Sequence, residues 1–219
     1  IAMDLASLFA LAWPMLLKGT GYTLLFAVAS MIFGLPLAGL VTLIRVLQVW
    51  GLSSLMALYV SVIRGTPLLV QIFIFYYGLP SVGIELSPIT AGILTLTLNV
   101  AAYMSETLRG SINAVTQGQW QAGTSLGLTR DQTLRYVVGP QALRAAVPSL
   151  SNSLISLIKD TSLVSVIAVT ELMLATKELI STTFQPFPLY LAAAAIYWVL
   201  SLSFEQIQRW MEKRVAYPY

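Results

Sequence analysis

The sequence predicts an all-α membrane protein with five transmembrane helices, and three observations carry that prediction. Of 219 residues, 57% are hydrophobic and only 10% charged, where a soluble domain is about 25% charged. A soluble fold so poor in charge would expose large apolar patches. Uncharged runs long enough to cross a bilayer recur: 26 residues separate Lys18 from Arg45, and 26 run from Leu179 to Phe204, against the about 20 that a span needs. Finally, Arg45, Arg109, Arg130, Arg135, Arg144, Arg209, Lys213 and Arg214 fall on one side of a five-span arrangement, with only Lys18 and Lys177 on the other. Basic segments stay cytoplasmic, so the N-terminus is expected outside and the C-terminus in the cytoplasm.

Taken in order, residues 1–17 form a lead-in containing Asp4, Trp13 and Pro14. Tryptophan favours the headgroup level, so a short interfacial helix is expected. The opening IAMDLASLF lacks a basic segment and a cleavage site, so it is not read as a signal peptide. The first span covers about 19–45 and contains Gly34 and Pro36. A second, at about 52–79, should be broken at Arg64-Gly65-Thr66-Pro67, because proline cannot continue the helical ladder. Alternatively, Arg64 snorkels from an interface. Pro80, Gly83, Glu85 and Pro88 mark a turn. The third span, about 88–108, carries Asn99, Tyr103 and Glu106. A polar cytoplasmic loop is expected at about 109–145, a fourth span at 146–170, a fifth at 187–208, and a tail at 211–219. No internal repeat is evident, so residues 18–210 read as one domain.

Cysteine and histidine are absent, which removes disulfides, thiol and imidazole nucleophiles, and most zinc and haem sites. The nine acidic residues are scattered, so no metal site is expected. No basic stripe interleaved with aromatics suggests nucleic acid. Gly123-Thr124-Ser125-Leu126-Gly127 fits the nucleophile pattern GxSxG. That pattern needs a strand–turn–helix setting and a base. Here the two glycines read instead as tight packing of a short helix.

Two segments carry chemistry. A helix is predicted over 119–127, in a loop that opens at Gly118, with Gly127 as its stop. Flanked by arginines, it either lies on anionic lipid or docks a cytosolic machine. Within the spans, Arg64 and Lys159 supply cations, Glu106 and Asp160 anions. Gln71, Asn99, Asn152, Ser153, Ser156, Thr161 and Ser162 supply hydrogen bonds. A zwitterionic amino acid needs both charges matched in a dry site, and charges at membrane depth mark pathways. The same charges fit an interhelical brace, and the Asn and Ser residues fit helix–helix contacts. Lys159 and Asp160 are adjacent, so on a helix they do not face each other.

The order Gln121-Ala122-Gly123, Gly127, Val137, Gly139-Pro140 resembles the EAA loop of ATP-binding-cassette importer permeases. In that loop Glu-Ala-Ala precedes a glycine, an isoleucine and Leu-Pro at the same spacings. Gln121 stands for Glu, Gly123 for Ala and Gly139 for Leu, so the family's charge at the first position is missing. KGTGYTL at Lys18–Leu24, RGTPLLVQ at Arg64–Gln71, AAYMSETLRGSI at Ala101–Ile112, PQALRAAVPSLSN at Pro140–Asn152 and LIKDTSLVSVI at Leu157–Ile167 are similar to the polar-amino-acid uptake subfamily. Ser61 stands where many members carry Glu. LIKDTSL and KGTGYTL most resemble members that carry cystine and related neutral amino acids.

The resemblance implies a type I importer permease fold in the bacterial inner membrane, and a transport subunit of an ATP-driven amino-acid importer. Two such permeases, identical or related, would form an alternating-access pathway. Two cytosolic ATPase subunits would bind ATP and Mg and dock on the loop helices, and a periplasmic or lipid-anchored binding protein would deliver the substrate. No GxxxxGK[ST] loop occurs in the chain, so no catalytic residue or cofactor is expected here. Gly118, Gln121, Ala122, Gly123, Gly127, Arg130 and Pro140 become the expected coupling residues. The expected pathway residues are Arg64, Gln71, Asn99, Asn152, Ser153, Ser156, Lys159, Asp160, Thr161 and Ser162. The main rival is an ion-coupled secondary amino-acid carrier working without an ATPase. Such carriers often have two related halves with matching broken helices, whereas only the second span here is clearly broken.

Overall fold

Backbone without water to bond must close its hydrogen bonds internally. The computed structural model describes residues 4–215, and among them every regular element is helical. Helix α1 (Leu5–Val46) runs for 42 residues. The described part of the expected lead-in is therefore continuous with the first span, with Trp13 and Pro14 inside the helix. Leu8, Ala12 and Leu16, all fully buried, give this helix a packing stripe that runs past Pro14. After α2 (Leu52–Gly65) the chain leaves helical conformation at Thr66 (φ −121°, ψ 147°) and Pro67 (φ −63°, ψ 136°), then resumes in α3 (Leu68–Phe73). The residue before a proline is pushed to extended geometry, and the expected break is found here, the helices on either side bent by 108°. A π turn (Ile74–Gly78) and a 3-10 turn (Leu79–Val82) complete this segment.

Helix α4 spans Pro88–Ala114 and α5 Gln117–Ser125. Helix α6 (Arg130–Thr133) passes through a π turn (Leu134–Val138) into α7 (Gly139–Asp160). A 3-10 turn (Thr161–Ile167) precedes α8 (Leu172–Thr183) and α9 (Pro186–Val215). Two expectations change. The stretch 109–145 is almost entirely helical, with only 115–116 and 126–129 outside regular elements. The fourth apolar stretch is not one helix: α7 stops at Asp160, and the 3-10 turn after it is followed by Ala168, whose φ is 60°. Three described helices are long and apolar enough to cross a membrane, Leu5–Val46, Pro88–Ala114 and Pro186–Arg214. The broken pair Leu52–Gly65 and Leu68–Val82 makes a fourth if counted as one span.

The chain gathers into two compact units whose boundaries fall inside α1, α4, α7 and α9 and at the Thr66–Pro67 break. The first unit contains the chain up to Met31, Pro67–Thr97 and Leu154–Phe204. Its core joins Leu8, Ala12 and Leu16 of α1 to Leu172 and Leu179 of α8 and Leu189 of α9. Gly19 lets α1 approach α8: a Cβ there would lie 3.0 Å from both Ala175 Cβ and Leu172 Cα. Beside that contact sits Glu171, fully buried. Its carboxylate accepts from the backbone N–H groups of Met173 and Leu174 (2.9 Å each), from Tyr197 Oη (2.8 Å) and from Thr23 Oγ1 (3.4 Å). Glu171 thus caps α8 and binds it to α1 and α9.

The second unit contains Ile32–Thr66, Leu98–Ser153 and the chain from Glu205. One cluster joins Val41, Val60 and Ala102 from α1, α2 and α4. Thr42 Oγ1 donates to Ser105 O (3.1 Å), and Tyr59 Oη donates to Leu98 O (2.6 Å). A second cluster, Ile112, Leu134, Val138 and Ala142, lies under α5.

Removing one partner of a buried charged network leaves desolvated groups unmatched, at a cost of about 3 kcal/mol. Glu171→Ala should therefore lower stability by about that amount in detergent unfolding. A loss below roughly 0.5 kcal/mol, the range of an ordinary surface substitution, would contradict the node.

Candidate functional site

The second unit seats the short helix α5 on two sides. Trp120 packs against the cluster of Ile112, Leu134, Val138 and Ala142, with Val46, Leu47 and Val115. Gly123 is buried against Thr133, and a Cβ at that position would stand 2.5 Å from Thr133 Cγ2 and 2.7 Å from its Oγ1. Gln141 Nε2 donates to Gln119 Oε1 (3.0 Å) and to Val137 O (2.8 Å), joining α5 to the start of α7. Arg130 Nη2 donates to Val46 O (3.1 Å), joining α6 to the end of α1.

This seating decides which face of α5 is turned out. Within α5 only Trp120 and Gly123 are withdrawn from the surface, and the exposed Gly118, Gln121, Ala122 and Ser125 lie at the three- and four-residue spacing of one helix face, with Gln117, Gln119 and Thr124 exposed as well. Leu126, just past the helix, is 79% exposed. The two glycines expected to pack tightly behave differently. Gly123 does so, but Gly127 has nothing near its Cβ position and is needed for its φ of +78°, a conformation that glycine adopts without strain. The helix stops two residues earlier than expected, at Ser125, with Leu126 and Gly127 closing its end.

Thr129 then starts α6 with a reciprocal capping box: its Oγ1 accepts from Gln132 N–H, and Gln132 Oε1 accepts from Thr129 N–H. Thr129 Oγ1 also donates to Asp131 (2.5 Å), which holds that carboxyl below the usual range. Pro140 lacks an N–H, and its ring would crowd the carbonyl four residues back; the π turn before it opens the helix there. At Gly139, where the resembled family carries Leu, a Cβ would lie 2.6 Å from Leu134 O.

Arg64 closes α2 and joins a cationic clamp. Glu106 accepts from Arg45, from Arg109 (Nη2, 2.7 Å) and lies 3.7 Å from Arg64 Nη1. The Arg64 guanidinium also stands 5.4 Å over the Tyr103 ring. Three helices therefore meet at one carboxylate: the end of α1, the end of α2 and α4.

The remaining expected pathway residues divide between the units. Gln71, Ser156, Lys159, Asp160, Thr161 and Ser162 belong to the first; Asn99, Asn152 and Ser153 belong to the second. Gln71 lies on α3, which packs against the Thr161–Ile167 turn. Gln71 is buried and Asn99 half-buried, and both have partners within the protein. Thr161 is fully buried and donates to Ile158 O (2.7 Å); Ser153 donates to Ser149 O (3.1 Å). Lys159 is exposed and Asp160 half-buried at the end of α7. Sequence reasoning missed Trp120, the clamp on Glu106 and the Glu171 node. Only the Thr129–Gln132 capping pattern had a local signal.

Comparison with known proteins agrees with this geometry. The family described as binding-protein-dependent transport system inner membrane component matches residues 34–217. The L-cystine transport system permease protein TcyB of Bacillus subtilis is 43% identical over 93% of this chain and 87% of its own. The glutamine transport system permease protein GlnP of Escherichia coli is 36% identical over 93% of this chain and 94% of its own. A crystal structure of an amino acid ABC transporter with histidines superposes with a TM-score of 0.91 at 33% identity, covering 98% of this chain and 100% of that one. An inward-facing MetNI methionine ABC transporter shares the fold, with a TM-score of 0.78 at 18% identity and the same coverages.

Gly123→Val should unseat α5, because its side chain has no room beside Thr133. Hydrogen exchange at residues 119–125 is expected to accelerate at least tenfold, equivalent to about 1.4 kcal/mol of lost protection. Unchanged protection would contradict the seat.

Proposed function

Because the chain belongs to the family of binding-protein-dependent inner-membrane transport components, and is an ABC importer permease subunit for amino acids, we propose that α5 is the element that docks its ATPase. One observation carries this reading: the EAA-like spacing falls on a helix fixed from within by Trp120 and Gly123, with Gly118, Gln121 and Ala122 turned outward. The permease is itself a transport subunit. ATP and Mg bind to two cytosolic ATPase subunits, whose closure moves α5. Gln119–Gln141 and the α6–α7 connection carry that movement into α7, and Arg130 carries it to the end of α1. Gly127 sets the exit angle of α5, Pro140 the π turn behind it.

The proposed topology has five spans, with the N-terminus outside and the C-terminus in the cytoplasm of a bacterial inner membrane. The basic residues favour it, as does an α7 that begins beside α5 and ends at Lys159 and Asp160. The domain proposal remains a transmembrane domain at about 18–210, with 109–145 as its coupling region. Two permease copies, identical or related, enclose the pathway, and a periplasmic or lipid-anchored binding protein supplies it. Arg64, Gln71, Asn99, Asn152, Ser153, Ser156, Lys159, Asp160, Thr161 and Ser162 are the proposed pathway residues. Of these, Arg64, Gln71, Asn99, Ser153 and Thr161 have partners within the protein. Cystine is the proposed substrate, supported by the likeness to the TcyB permease.

The test is uptake by the permease co-reconstituted with its ATPase and binding protein, offered radiolabelled cystine, glutamine, arginine and glutamate. Cystine uptake that requires ATP and every component is expected. Preference for another label would overturn the substrate, and uptake by the permease alone on an ion gradient would overturn the importer. Gly127→Val, strained at positive φ by about 1–2 kcal/mol, should leave the complex able to hydrolyse ATP while uptake falls at least tenfold. Asp160→Asn should reduce uptake more than assembly; equal losses would make Asp160 a brace.

A further inference from the structure

The second unit contains a pocket of about 500 Å³ between the end of α1, the last turns of α4, and the starts of α5 and α6. Arg45, Arg109 and Arg130 line it, together with Gln48, Asn113 and Gln117. No carboxylate is among the lining residues. The nearby acid, Glu106, is already shared by Arg45, Arg64 and Arg109. Asp131 follows Arg130 but accepts from Thr129 and lines a different cavity. Four arginines thus stand against one carboxylate, and the surplus positive charge collects at the pocket.

Two further features mark the place. Gln48 holds a positive φ of 55°, a strained conformation for a residue other than glycine, and its Nε2 donates to Arg45 O (2.9 Å). Trp50, two residues on, is 96% exposed, and an exposed tryptophan beside basic residues suits the headgroup level. Guanidinium groups match phosphate by paired hydrogen bonds, and amide donors add neutral contacts.

We propose that this pocket binds a phosphate group, supplied in the membrane by the headgroup of an anionic phospholipid. The phosphate bridges Arg45 on α1, Arg109 on α4 and Arg130 on α6, so an occupied pocket ties the seat of α5 to the bundle. The lipid source rests on the cytoplasmic placement proposed above. Phosphate recognition itself rests only on the pocket.

The full-length permease in detergent can be offered phosphatidylglycerol or phosphatidylcholine, and the lipid retained counted by native mass spectrometry. Separately, unfolding can be followed with inorganic phosphate titrated against chloride at equal ionic strength. Selective retention of phosphatidylglycerol is expected, together with a raised Tm. Arg130→Gln should weaken retention about tenfold, the equivalent of one charge-assisted contact, and Arg130→Lys should restore part of it. Asn113 is exposed, so Asn113→Asp adds a repelling charge without removing packing and should weaken retention as well. Stabilisation by inorganic phosphate without lipid selectivity would keep the phosphate site and overturn its lipid source. Equal retention of both lipids with no response to phosphate would overturn the proposal.

Discussion

A carboxylate withdrawn from water must be met by donors, and each compact unit is arranged around one that is. Glu171 collects two backbone N–H groups and two hydroxyls, and so fixes where α8 starts relative to α1 and α9. Glu106 collects guanidinium groups from α1, α2 and its own helix. Groups shielded from bulk water have few other partners, so their matching determines which helices lie together, while apolar contact alone would be non-directional. The small residues nearby follow from this. Gly19 brings α1 close enough to α8 for Thr23 to reach Glu171.

The same economy of space shapes α5 and the segment that follows it. The glycines there are not interchangeable. At Gly123 the constraint is the Thr133 side chain; at Gly127 it is the sign of φ; at Gly139 it is the Leu134 carbonyl inside a π turn. Each departure from the EAA pattern that falls on a glycine thus has a local steric cause. Gln121, by contrast, stands on the outward face, where loss of the family's charge alters what a partner meets and leaves the fold of α5 alone. A helix anchored at Trp120 and pinned through Gln119 and Gln141 can pass force to α7 without deforming.

Much of this was legible in the sequence because its causes are local. Uncharged runs marked α1, α4 and α9, and Thr66-Pro67 broke the second span through the proline's own sterics. A helix at 119–127 was readable from its polar run and closing glycine, and one forms at Gln117–Ser125. The stretch 130–145 read as loop because its composition is polar, yet Leu134, Val138 and Ala142 form a buried stripe at helical spacing that continues α7 outward. Asp160 ends the α-helix sooner than hydropathy suggested, since Thr161 bonds back to Ile158 within a tighter turn. Glu171 meets Thr23 across 148 residues and Glu106 meets Arg45 across 61; no local pattern encodes such pairs.

The absence of cysteine from the chain makes one measurement especially direct. Single cysteines at Gly118, Gln121, Ala122 and Ser125, and at the fully buried Thr133 as the inward control, can be labelled with a maleimide in the permease alone and in its complex with the ATPase. A docking helix requires the outward four to react in the free permease and to be protected in the complex, with the position-133 cysteine slow in both. Equal reactivity of the outward positions with and without the ATPase would contradict the role assigned to α5.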